Sequence, residues 1–141
     1  MNVQGITKTL LWLDDVRDPS SNFGEWLIFS PIGRDVKVVW VKTYFEFVKW
    51  IKENGLPDAI CFDHDLGKNT EKELLAAGYS KKEARKLKKE EKTGYDCAKW
   101  LVEYCLDRGR KVPAWGLQTS NPAGRDNIDA LLKNYNKTFD D

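Results

Sequence analysis

Long apolar runs are missing from this chain of 141 residues, and nothing in it approaches the roughly 18 consecutive apolar residues of a membrane-spanning helix. Residues 1–8 carry no apolar h-region, so a secretory signal is not expected there. Cysteine is scarce. Cys61, Cys97 and Cys105 have no C-x-x-C spacing, lie in apolar segments and cannot all pair, which argues against a disulfide framework and a zinc site. A charge excess of either sign is also absent: 23 Lys+Arg against 22 Asp+Glu leave +1, so any surface for a polyanion must be local. No repeat or low-complexity tract is visible. These absences predict a soluble cytoplasmic protein with no membrane contact, built as one domain over residues 1–141.

What is present alternates in type. Leu10-Leu11-Trp12-Leu13 reads as a buried strand running into Asp14-Asp15, followed by a polar loop with a Ser20-Ser21-Asn22 turn. Residues 23–35 mix Phe23, Trp26 and Phe29 without a clean period and receive no assignment. Val36 to Val41, rich in β-branched residues, predicts strand two. Thr43 then caps a helix that Asn54-Gly55 and Pro57 end. Ala59 to Phe62 is strand three, closed by Asp63-His64-Asp65-Leu66-Gly67, which holds the chain's single histidine.

Residues 68–92 change character. Nine Lys/Arg against five Glu, and two helical stretches split by Gly78-Tyr79-Ser80, suggest a charged helical insertion projecting from the core. Its second stretch, Lys81 to Lys92, is either a solvated helix or a basic arm that contacts nucleic acid. Thr93-Gly94 opens a helix ended by Gly109, Val112 to Leu117 is strand four, and Asp126 to Tyr135 the last helix. This order predicts an α/β fold: an open, mainly parallel sheet of about four strands flanked by helices, with three strand ends on one edge.

Those ends carry Asp14-Asp15, Asp63-His64-Asp65 and Gln118-Thr119-Ser120-Asn121. Carboxylates from two strands repel unless a cation sits between them, so Asp14, Asp15 and Asp63 are the candidate ligands of Mg²⁺ or another divalent cation. The hydroxyls of Thr119 and Ser120 and the amides opening the last helix suit a phosphate. His64, flanked by acids, is a candidate general acid or base. Each piece also has a plainer reading: Asp14 and Asp15 as turn acids, His64 as a hydrogen-bonded structural residue, and Thr119 to Pro122 as a helix cap.

At these residues the chain resembles receiver domains of response regulators, which implies a truncated flavodoxin-like topology. Asp14-Asp15 looks like the acidic Mg²⁺ pair, Asp63 stands at the phospho-acceptor position, and Thr119 matches the hydroxyl residue that ends strand four. The lysine that ends a receiver's fifth strand has no counterpart. A closer resemblance is to cyclic-phosphate-processing receiver domains. It is carried by Leu13-Asp14-Asp15-Val16-Arg17-Asp18-Pro19, Asp63-His64-Asp65-Leu66-Gly67, Thr93-Gly94-Tyr95-Asp96 and Thr119-Ser120-Asn121-Pro122-Ala123-Gly124 running to Asn127-Ile128.

That resemblance implies a metal-dependent hydrolase of a cyclic phosphate on a nucleotide or RNA end, in RNA repair or in phage or bacterial conflict. Asp63, His64 and Asp65 would be catalytic, and Arg17, Gln118, Thr119, Ser120 and Asn121 would hold the phosphate. Gln118 stands where the family pattern has a second histidine. The alternatives are non-catalytic sequestration of a cyclic nucleotide and a phospho-accepting receiver in signalling.

Overall fold

The computed structural model describes residues 7–15, 17–19, 28–66, 71–76, 78–89 and 92–139. The expected Ser20-Ser21-Asn22 turn, Phe23, Trp26 and Gly67 lie outside them. Segments with no polar member, such as Leu10 to Leu13 and Ala59 to Phe62, are stable as strands only when both faces are covered. They form the two central strands, β1 (Lys8–Leu13) and β3 (Ala59–Phe62), and all eight of those side chains are fully buried. The flanking strands β2 (Val36–Val41) and β4 (Ala114–Leu117) complete a sheet of order β2-β1-β3-β4. Every pairing is parallel.

Strand β4 begins two residues later than the sequence suggested. Val112 gives its N–H to Asn136 Oδ1 at 2.9 Å, and Pro113 has no N–H to give, so neither joins the ladder.

Helices α1 (Tyr44–Asn54), α4 (Gly94–Arg108) and α5 (Pro122–Lys137) bury their apolar stripes on one face of the sheet. Phe47 and Ile51, Ala98 and Leu101, and Ile128 and Leu132 meet Leu11, Leu13, Ile60 and Phe62 there. On the opposite face Leu10, Trp12, Ala59 and Cys61 are packed by Phe29, Ile32, Val38 and Trp40. Thr43 caps α1 by accepting the Glu46 N–H, and Thr93 and Asp96 form a reciprocal capping box on α4. The last helix starts four residues before Asp126. Asn121 is its cap and Pro122 its first residue, a position where the missing N–H costs nothing.

Between β3 and α4 lie α2 (Glu71–Ala76) and α3 (Lys81–Lys89), the latter ending before Lys92. Leu74 and Ala84 are buried, and Tyr79 meets the Phe45 ring edge-on at 5.6 Å. The two helices of this segment pack on each other, and Tyr79 between them touches α1. No helix among the described residues is long and apolar enough to cross a membrane.

Gly94 fixes how closely α4 approaches the sheet. Its N–H donates to the His64 carbonyl at 2.7 Å, and a Cβ at this position would strike the Asp63 carbonyl oxygen. Gly109 differs: it needs only its left-handed φ of 63°, with open space around it. Gly94→Ala is expected to lower stability by about 3 kcal/mol through overpacking, and Gly109→Ala by about 1 kcal/mol through backbone conformation. Urea denaturation of the two variants checks the ranking.

Candidate functional site

Beyond the strands the ladder continues for one residue on each side of β1 and β3. Asp14 N–H donates to the Val41 carbonyl, Asp63 N–H to the Leu13 carbonyl and Gln118 N–H to the Phe62 carbonyl, at 3.0, 3.0 and 3.2 Å. The backbone thus carries Asp14, Asp63 and Gln118 to the C-terminal edge of the sheet, where open α/β folds place their ligands. Oxygen atoms of Asp14, Asp15 and Asp63 lie within 4.8 Å of one another. Ion pairs of that span near a protein surface are worth about 3 kcal/mol, so three like charges need compensation.

Some compensation comes from Arg17. Its backbone N–H donates to Asp14 Oδ1 at 2.9 Å, and its Nη1 lies 3.5 Å from Asp14 Oδ2. The same Nη1 donates to the Gln118 carbonyl at 2.7 Å. Asp14 is held further by the Trp40 indole, which donates to its carbonyl at 2.7 Å. One guanidinium does not balance three acids. Burial first, then the charges of Asp14 and Asp15, push the Asp63 carboxyl up to about 6, against the pull of the His64 N–H bond and the Arg17 charge. Asp15 is also raised, chiefly by burial and then by Asp14, while hydrogen bonds from its own backbone and with Asp63 oppose the shift. A cluster of hard oxygen donors that resists ionising together is chemically suited to a hard divalent cation.

His64 stands beside this cluster but turns its ring towards α5. Its Nδ1 lies 3.1 Å from Asp65 Oδ1 and 3.4 Å from Asn121 Nδ2, an acceptor on one side and a donor on the other. Asp65 is 75% exposed and stands outside the three-acid group, so its position relates it to the histidine rather than to a metal. The ring rests on Gly124 in the first turn of α5, where a Cβ would strike Cγ and Cδ2. Gly124 and Gly94, quoted in the sequence only as parts of motifs, are the two positions that let α5 and α4 approach His64 and Asp63. The available signal was glycine inside a helix start, which marks close approach.

The remaining candidates divide. Gln118 is buried, and its Nε2 donates to the Leu13 carbonyl at 2.9 Å, spanning from the end of β4 to the end of β1. Its Oε1 is buried with no hydrogen-bond partner among the described residues. Thr119 Oγ1 accepts the Asn121 N–H and Asn121 Oδ1 accepts the Gly124 N–H, so both serve the cap of α5. Ser120 is exposed at the same edge. Asp14, Asp15, Asp63, His64, Asp65, Asn121 and Arg17 are therefore gathered into one region, whereas Gln118 and Thr119 act as struts of its backbone.

The raised Asp63 has a signed consequence for stability. Its folded-state value lies above the ordinary 3.8, so ionising it in the folded protein is unfavourable. That penalty is absent below pH 3.8 and complete above about pH 6. In a chelating buffer Asp63→Asn is expected to raise the thermal midpoint at pH 8, with the advantage over the parent shrinking as pH falls through 6. Thermal melts across that range provide the check.

A search of curated proteins returned no match to this chain. Residues 9–134 match the family described as the cyclic-phosphate processing receiver domain. That span opens in β1, closes in α5 and contains every residue of the acidic edge. The four-stranded parallel sheet with flanking helices, ordered β2-β1-β3-β4, agrees with the receiver, flavodoxin-like architecture. The chain belongs to the cyclic-phosphate processing receiver domain family.

Proposed function

We propose that this domain hydrolyses a cyclic phosphate ester on a nucleotide or RNA end with the help of a divalent cation. The observation that carries the reading is the gathering of Asp14, Asp15 and Asp63 within 4.8 Å, next to a histidine held by Asp65 and Asn121. Mg²⁺ or a similar hard cation, held by those three carboxylates, would supply the positive charge that attracts a phosphate and offsets its developing negative charge.

The chain's own groups divide the rest of the work. Hydrolysis adds a water oxygen to phosphorus and breaks one ring P–O bond; a proton leaves the water and one joins the departing sugar oxygen. With Nδ1 turned to Asp65 and Asn121, which orient the ring, His64 keeps Nε2 for that proton. Gly124 holds the ring in place by leaving no room behind it. With Pro122 lacking an N–H and the Gly124 and Arg125 N–H groups bound to Asn121, the Ala123 N–H at the start of α5 and the Ser120 hydroxyl would be the donors to phosphate oxygens. Arg17 fixes Asp14 to the end of β4 and lends positive charge to Asp63. Cys61, Cys97 and Cys105 are free and buried, which suits the reducing cytoplasm.

Gln118 favours a second reading, sequestration without chemistry. Its amide shuttles no proton and its Nε2 is committed to the Leu13 carbonyl. Stoichiometric recovery of unaltered ligand from the purified protein would support this alternative.

The test is turnover of a 2′,3′-cyclic nucleotide with Mg²⁺, followed by ³¹P NMR. Asp63→Asn is expected to abolish it, and His64→Ala to lower kcat by about 10²–10⁴-fold. Gly124→Ala is expected to lower kcat through displacement of the His64 ring, with KM less affected. Removing the cation with a chelator should stop turnover, and re-addition should restore it. Unchanged turnover in Asp63→Asn would overturn the proposal.

A further inference from the structure

A cleft of 440 Å³ lies between α1, α3 and α4, apart from the acidic cluster. Tyr44, Phe45, Tyr79 and Trp100 line it. Tyr44 meets Phe45 edge-on at 5.2 Å and Phe45 meets Tyr79 edge-on at 5.6 Å, and all three are only partly buried. In such a pair one ring lays its edge on a face of the other, which leaves both faces of the first and one face of the second uncovered by the partner, so a flat ligand has surface on which to stack. The charged lining is Lys52, Lys86 and Lys92 against Glu83, a positive excess in which Lys92 also sits 5.5 Å over the Tyr44 ring and Asp96 and Glu103 stand beside Tyr44. Aromatic faces joined to cations on one wall are the recognition chemistry of a nucleobase with its phosphate.

Position ties this cleft to the acidic edge. Tyr44 follows Val41 by three residues, and the Val41 carbonyl accepts the Asp14 N–H. Lys92 precedes Gly94 by two, and Gly94 N–H donates to the His64 carbonyl. Lys82, one turn before Lys86 on α3, is exposed and extends the positive charge beyond the cleft.

We propose that this cleft receives a base and neighbouring phosphates of a single-stranded nucleic acid whose end lies at the acidic edge, an inference that rests on the phosphate-ester reading of that edge. It would give the helical segment between β3 and α4 a purpose: α3 and Tyr79 form the outer wall of a track that α1 and α4 alone would leave open.

The experiment is fluorescence anisotropy with a 5′-labelled oligouridylate of about ten nucleotides, ending in a 3′-hydroxyl, at about 50 mM salt. Binding should weaken with salt at a log–log slope of about −2 if three lysines meet phosphates. Lys86→Glu and Tyr79→Ser should each weaken binding by about tenfold or more, whereas Lys137→Glu, on exposed α5 surface, should change it by less than about twofold. Thermal melts of each variant separate lost binding from lost folding. Absence of binding overturns the assignment, as does equal loss from Lys86→Glu and Lys137→Glu. Displacement by uridine monophosphate as readily as by unlabelled oligonucleotide also overturns it, making a mononucleotide the occupant. The probe carries no cyclic phosphate. Turnover without oligonucleotide binding therefore removes the cleft assignment alone, and binding without turnover removes the catalytic reading alone.

Discussion

The parallel ladder between β1 and its two neighbours, carried one residue past the strand ends, is the constraint on which the rest of the structure depends. Pairing of Leu13 with both Val41 and Phe62 brings the ends of β2, β1 and β3 level. The next N–H groups, on Asp14 and Asp63, then have a carbonyl waiting on the adjacent strand. Backbone hydrogen bonds at this edge therefore fix two acids from chain positions far apart in sequence before any side chain is considered. The electrostatic strain at the edge follows from that placement: ladder energy and apolar burial hold the carboxylates close enough to disfavour joint ionisation.

Two glycines bring helix starts down onto that edge. Gly94 lets the start of α4 rest on the Asp63–His64 backbone, and Gly124 lets the start of α5 rest on the His64 ring. Both helices therefore direct their N-terminal amides, the positive ends of their dipoles, towards the strand that ends in acids. The same contacts position His64 through backbone and ring at once. A Cβ at either site would separate the histidine from the carboxylates or push the helix away from the core.

Most of the frame was readable because its signals are local. Apolar runs without polar interruptions marked β1 and β3, β-branched residues marked β2, and Thr43, Thr93, Gly55 and Gly109 marked helix ends within a residue. The last helix begins at Pro122 and not at Asp126, because Asn121 Oδ1 is its cap, the plainer of the two readings that Thr119 to Pro122 allow. The start of β4 was misplaced because Val112 looks like a strand residue, yet its N–H is taken by Asn136 on α5. Within the site, acids at strand ends could be paired by assuming parallel strands. The ties from Arg17 to the Gln118 carbonyl and from Gln118 to the Leu13 carbonyl were not readable, since each joins residues more than a hundred positions apart. The packing of Tyr79 on Phe45 is likewise non-local, so charge composition alone did not show it.

Gln118 shows how the site differs from a phosphorelay receiver. In the receiver pattern a lysine from a fifth strand supplies a fixed cation beside the phospho-acceptor, and among the described residues β4 is followed by α5 with no fifth strand. Here the positive charge that reaches Asp63 belongs to Arg17, whose Nη1 is bound to the Gln118 carbonyl and lies beside Asp14. Gln118 in turn uses its amide to hold the Leu13 carbonyl. Both residues are thus engaged in binding β4 to β1. In the proposed reaction proton transfer would fall to His64, whose Nδ1 faces Asp65 and Asn121. An acidic edge with one oriented imidazole and no fifth-strand lysine among the described residues fits the proposed opening of a phosphate ester better than storage of a phosphoryl group on Asp63.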